Sequence, residues 1–119
     1  MKTTKITEAQ ADEMRQPFLN SAAKKRLGIT GYQMVTEYGW HIERETDMAV
    51  LLTGVEDEGD YYHREQKDVE LWLPKSQIKA FEYETTDEDD FDEVITEIMI
   101  FVKTWLFNQE KSTIKINHF

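Results

Sequence analysis

The chain has 119 residues, with 24 Asp and Glu against 14 Lys and Arg for a formal charge of −10, and no cysteine. That length fits one domain able to bury a core without staples, and the missing cysteine excludes disulfide frameworks, thiolate zinc sites and cysteine nucleophiles. The charge is uneven, +3 over residues 1–30 and −13 over residues 31–119, so the body repels phosphate backbones and favours a basic protein partner or plain solubility.

Residues 1–30 read as helical. Thr7-Glu8-Ala9-Gln10 has the form of a capping box and predicts helix over residues 8–16. Pro17 suits the first turn of a second helical piece that ends at Leu27, before Gly28. Ala11, Met14, Phe18, Ala22 and Leu27 fall at a spacing that would face the body. Lys24-Lys25-Arg26 closes the last turn, where cations either complement the helix dipole or contact an anion. The start of the chain is polar, and no apolar run approaches the roughly 18 residues of a membrane helix; a soluble, cytoplasmic protein is expected.

From Tyr32 to Glu45 the period changes to two, which predicts one long half-buried strand with a bulge or bend at Gly39. Tyr38 and Trp40 form an aromatic stripe, read first as core and second as a base-stacking platform. Met48 to Val55 is a nearly continuous apolar run, the pattern of a central strand. Glu56, Asp57, Glu58 and Asp60, followed by Tyr61 and Tyr62, make an acidic hairpin tip with aromatic residues of the kind binding surfaces use. Their spacing does not match a calcium loop, and neither a metal nor a cofactor is expected.

Val69, Leu71 and Leu73 alternate with Asp68, Glu70 and Trp72 up to Pro74, which must end a strand or lie at an edge. Leu73-Pro74-Lys75-Ser76 fits a type I turn, and β character resumes from Gln77 to Glu84. Asp87, Glu88, Asp89, Asp90, Asp92 and Glu93 then put six carboxylates in seven positions, either a solvated linker or an acidic binding patch. Residues 93–102 combine helical spacing with many β-branched side chains. A strand is favoured there, followed by a short helix over residues 103–109 and a loose or edge-pairing tail from Ile114 to Phe119, with one long helix as the alternative.

Trp72-Leu73-Pro74-Lys75-Ser76-Gln77-Ile78, preceded by Glu45-Thr46-Asp47-Met48-Ala49-Val50-Leu51-Leu52 and followed by Trp105-Leu106 ahead of Glu110-Lys111, resembles a loose group of short uncharacterised phage and prophage proteins. In that group a Trp-Ile/Leu-Pro-Lys-Ser-Gln strand end follows a Glu-Thr-x-x-Ala hairpin. The resemblance spans roughly residues 38–111; Val102-Lys103-Thr104 stands where the group carries a proline before its Trp-Leu pair. It implies a setting, a bacterial virus or its remnant, and supplies no catalytic residue.

The chain has no Gly-rich phosphate loop, no His-x-x-x-His pair and no Gly-x-Ser-x-Gly elbow, and His41, His63 and His118 are far apart. The expectation is therefore a non-enzyme with a single α+β domain. It consists of a helical lead over residues 1–30, a β body over 31–102 whose antiparallel sheet of about five strands can curl into a small barrel, and a C-terminal helix and tail over 103–119. Its expected function is that of a small acidic phage-type accessory. It binds a basic host protein through Glu56, Asp57, Glu58, Asp60, Tyr61, Tyr62, Asp87, Glu88, Asp89, Asp90 and Asp92, and inhibits a nuclease or other nucleic-acid-binding protein by imitating DNA. The alternative is a replication or recombination accessory that contacts nucleic acid through Lys24, Lys25, Arg26, Lys75 and Lys79.

Overall fold

The computed structural model describes the backbone of residues 1–58, 65–87, 89–90 and 92–117, and the side chains of those residues apart from 56–58, 65–66 and 111–117. The fold is α+β. Its elements in order are β1 (Thr4–Lys5), α1 (Glu8–Met14), α2 (Ser21–Leu27), β2 (Tyr32–Met34), β3 (His41–Glu45), β4 (Ala49–Glu58), β5 (Glu65–Pro74), β6 (Ile78–Thr86), β7 (Val94–Lys103) and α3 (Thr104–Asn117). They make two sheets, β1-β6-β7-β2 and β3-β4-β5, antiparallel except where β1 joins β6 in parallel with Thr4 opposite Phe81. The expected single sheet of about five strands is thus divided in two.

Alternation of side chains along the four-stranded sheet assigns its two faces. Ile78, Ala80, Ile100 and Val102 pack against Val50, Leu52, Val69, Leu71 and Leu73 of the other sheet. Phe81, Tyr83, Met99 and Phe101 point the opposite way, onto Ala11, Met14 and Ile29 of the helical lead. The four-stranded sheet is therefore the middle of three layers, with apolar residues on both faces. That explains why β7 reads as a near-continuous apolar run from Ile98 to Val102.

The helical lead keeps its predicted caps and loses its predicted phase. Thr7 Oγ1 accepts from the Gln10 amide at 3.1 Å and Gln10 Oε1 accepts from the Thr7 amide at 2.9 Å, which closes the capping box. Gly28, at φ 74°, ends α2 as a left-handed cap. Pro17 does not open the second helix. Asn20 does so, its Oδ1 accepting from the Ala23 amide at 2.8 Å, so α2 begins later than expected. Phe18 consequently stands 94% exposed and Ala22 also faces solvent, while Ala11 and Met14 are buried as the spacing predicts.

The predicted strand from Tyr32 to Glu45 is two strands in different sheets. After β2 the Val35 carbonyl accepts from both the Tyr38 and Trp40 amides, a 3-10 turn forms over Thr36–Tyr38, and Gly39 turns left-handed at φ 86°. This crossover buries Trp40 edge-on to Phe107, with ring centroids 5.1 Å apart, and leaves Tyr38 76% exposed. No shared aromatic face forms.

Val69, Leu71 and Leu73 are buried and the strand ends at Pro74, as the alternation requires. The type I turn is absent: Pro74 keeps an extended ψ of 135°, and a 3-10 turn follows at Lys75–Gln77. The Lys75 amide donates to the Met48 carbonyl at 2.8 Å. By ladder alternation the even-numbered residues of β5 then turn their backbone polar groups away from β4, so the missing proline N–H removes no ladder bond. β7 is a strand as favoured, but the helix after it runs through Asn117, over most of the expected tail.

Candidate functional site

The acidic features separate once folded. Glu56, Asp57 and Glu58 are not a tip: β4 continues through them, with Glu56 opposite Lys67, Asp57 opposite Gln66 and Glu58 opposite Glu65. Asp60, Tyr61, Tyr62 and Glu88 lie outside the described residues.

The second acidic cluster caps the β6–β7 hairpin. The Asp87 amide donates to the Glu93 carbonyl, and the Glu93 amide to the Asp90 carbonyl, each at 3.1 Å. Asp87 Oδ1 accepts from the Asp89 amide at 2.9 Å and Asp90 Oδ1 from the Asp92 amide at 3.1 Å. Asp87 and Asp90 thereby shape the turn through the local bonds that Asp side chains favour. Asp89, Asp92 and Glu93 are exposed.

Strand pairing adds carboxylates that the sequence-based set omitted. Glu82, Glu84, Glu93 and Glu97 belong to the same hairpin, with Glu82 opposite Ile98, Glu84 opposite Thr96 and Tyr83 opposite Glu97. Residues 82–98 hold nine Asp and Glu and no Lys, Arg or His. Among the described residues, which include eight of these nine, no cation forms an ion pair with any of the eight. The signal that could have found Glu82 and Glu84 was their period-two placement on a strand leading into the cluster.

The candidate cations are mostly engaged. Arg26 pairs with Glu13, and Lys75 with Glu45 at 3.2 Å. Lys79 donates to the Gly28 carbonyl at the end of α2 and lies over the Tyr32 ring, 4.9 Å from its centroid. Lys24 and Lys25 are exposed in the last turn of α2. Glu45 also receives the Met1 ammonium at 2.7 Å. The bonds from that ammonium and then from Lys75 hold the Glu45 carboxyl below the usual carboxylate range.

Two recesses accompany these charges. One, about 910 Å³, lies among the α1–α2 connection, β2 and α3, with Met14, Tyr32, Phe101 and Phe107 in its walls. Arg15, which also lines it, is already bonded to the Tyr83 hydroxyl and to Asp12. The other, about 300 Å³, lies between Ile42 of one sheet and Ala80, Ile98 and Ile100 of the other. His41 Nε2 sits 2.9 Å from the Thr53 hydroxyl, and no His, Asp and Glu group among the described residues could hold a metal ion. No helix among them is long and apolar enough to cross a membrane.

No protein family, curated protein or solved structure matches the chain.

Proposed function

We propose that this protein is a small acidic accessory of a bacterial virus or its remnant, acting in the host cytoplasm by binding a basic host protein through the β6–β7 hairpin. One observation carries the reading: nine carboxylates and no cation on a single 17-residue hairpin, the eight described carboxylates having no ion-pair partner among the described residues. Such a concentration of one sign steers a basic surface toward it and rejects anionic ones. A projecting row of carboxylates offers a basic groove what a phosphate row offers, so the partner class that fits is a protein that itself binds nucleic acid. The viral setting rests on the resemblance around Trp72-Leu73-Pro74-Lys75-Ser76-Gln77. The engagement of Arg26, Lys75 and Lys79 within the chain supports protein binding over direct contact with nucleic acid.

The test is affinity capture from untreated and nuclease-treated bacterial lysate with the wild type and with a variant carrying Asp89→Asn, Asp92→Asn and Glu93→Gln. A basic protein retained by the wild type, eluted by salt and lost from the variant is the expected result. The same proteins on both baits would sink the reading. Partners that vanish with nuclease would move the contact to nucleic acid and to Lys24 and Lys25.

A further inference from the structure

The β6–β7 hairpin outruns the sheet that covers it. Its inner face is buried at Ile78, Ala80, Ile100 and Val102, and continues outward through the pairs Glu82 with Ile98, Glu84 with Thr96 and Thr86 with Val94. Beyond Ile100 the cover ends: Ile98 is 50% and Val94 59% exposed. The uncovered half therefore carries Ile98 and Val94 on β7, with Thr96 between them, beside Glu82 and Glu84 on β6, and Lys5 of β1 stands opposite Glu82. Where these residues meet the body, Ile98 lines the cavity of about 300 Å³ with Ile42, Ala80 and Ile100, and Met1, Arg44 and Glu45 line it too, joined in part by the Met1–Glu45 ion pair.

We propose that this face docks a cationic amphipathic helix of the partner, with one apolar side chain in the cavity and Lys or Arg along Glu82 and Glu84. The proposal rests on the reading that the partner is a basic protein, and it names the segment the hairpin takes. Dimensions agree. Ile98 and Val94 are four residues apart on a strand, about 13 Å, and apolar positions i and i+8 of a helix are about 12 Å apart. Opposed residues on paired strands have Cβ atoms about 5 Å apart, so cations flanking an apolar helix stripe reach the glutamates. Charge decides the occupant. A second copy on this face would bring one nine-carboxylate hairpin against another, Glu82 and Glu84 against their own copies, and a nucleic acid would bring phosphates to them.

The probe is an 18-residue Lys/Leu helical peptide with leucines at positions i, i+4 and i+8 of one face, compared with a peptide of equal charge in which Gln replaces each Leu. Each is titrated into the full chain labelled with nitrogen-15. The expected result is amide shifts at residues 80–84 and 94–100, with affinity at least tenfold weaker for the Gln peptide. A Val94→Thr, Ile98→Thr variant, its spectrum otherwise native, should bind the Lys/Leu peptide at least tenfold more weakly. Glu82→Gln with Glu84→Gln should flatten the salt dependence. Equal binding of the two peptides, shifts centred elsewhere, or concentration-dependent dimers without peptide binding would each overturn the proposal. The two readings fail separately. If lysate capture depends on the loop carboxylates but survives Val94→Thr, Ile98→Thr, helix docking falls and the acidic-binding reading stands. If capture does not depend on those carboxylates, that reading falls first.

Discussion

Trp40 is buried because the neighbouring strand carries no side chain at position 54. A Cβ added to Gly54 would stand 2.6 Å from Cε2 and 2.8 Å from Cε3 of the indole, and Phe107 holds the ring from another side. Gly54→Ala is expected to destabilise by about 2–3 kcal/mol through overpacking, measured by urea unfolding. Adding Trp40→Phe to that background should recover part of the loss, and the double-mutant cycle reads the coupling. Glu45 makes a pH prediction. Its carboxyl titrates lower in the folded chain than in the unfolded one, so its contribution is present above the ordinary carboxylate range and is lost as pH falls through the lowered value. Glu45→Gln should therefore lower Tm at neutral pH, with the gap to wild type closing in acid. A gap that does not change with pH would contradict the ion pairing to Met1 and Lys75.

Among the elements, the helical lead separates local chemistry from tertiary phase. Met14 is buried against Phe81, Tyr83 and Phe101, whereas Phe18 has no cover. Met14→Ala should destabilise by about 2–4 kcal/mol, and Phe18→Ser should change stability by no more than about 0.5 kcal/mol, both read by chemical denaturation. The capping box at Thr7 and the stop at Gly28 were legible because each is set by a few adjacent residues. The phase across Pro17 was not, because Asn20 restarts the helix and no pattern of apolar residues encodes that offset. The same division runs through residues 32–45. Period two announced extended backbone, yet it could not say that Val35 and Gly39 hand the chain from one sheet to the other. The β6–β7 carboxylates at 87–92 stood out as a run. Glu82, Glu84 and the uncovered Val94 and Ile98 became a surface only through the register that places them on one face.

For the whole molecule, unbalanced charge opposes compactness. Nine carboxylates on residues 82–98 without a cation should make stability rise with salt, as the Debye length falls from about 30 Å at 0.01 M to about 8 Å at 0.15 M. Neutralising Asp89, Asp92 and Glu93 should raise Tm at low salt and shrink its salt dependence, since Asp87 and Asp90 remain to hold the turn. A lower Tm in that variant would instead assign those three carboxylates a structural role. The parallel pairing of β1 with β6 bears on the order of assembly. The β4–β5 and β6–β7 ladders join strands adjacent in sequence, so their ends meet by closing short loops. Thr4 must find Phe81 across most of the chain, and it does so only once β6 is in place. The basic lead of the protein is therefore expected to fold last onto an acidic body and to leave it first. Hydrogen exchange should report this as α1 and α2 amides opening at lower free energy than those of β6 and β7.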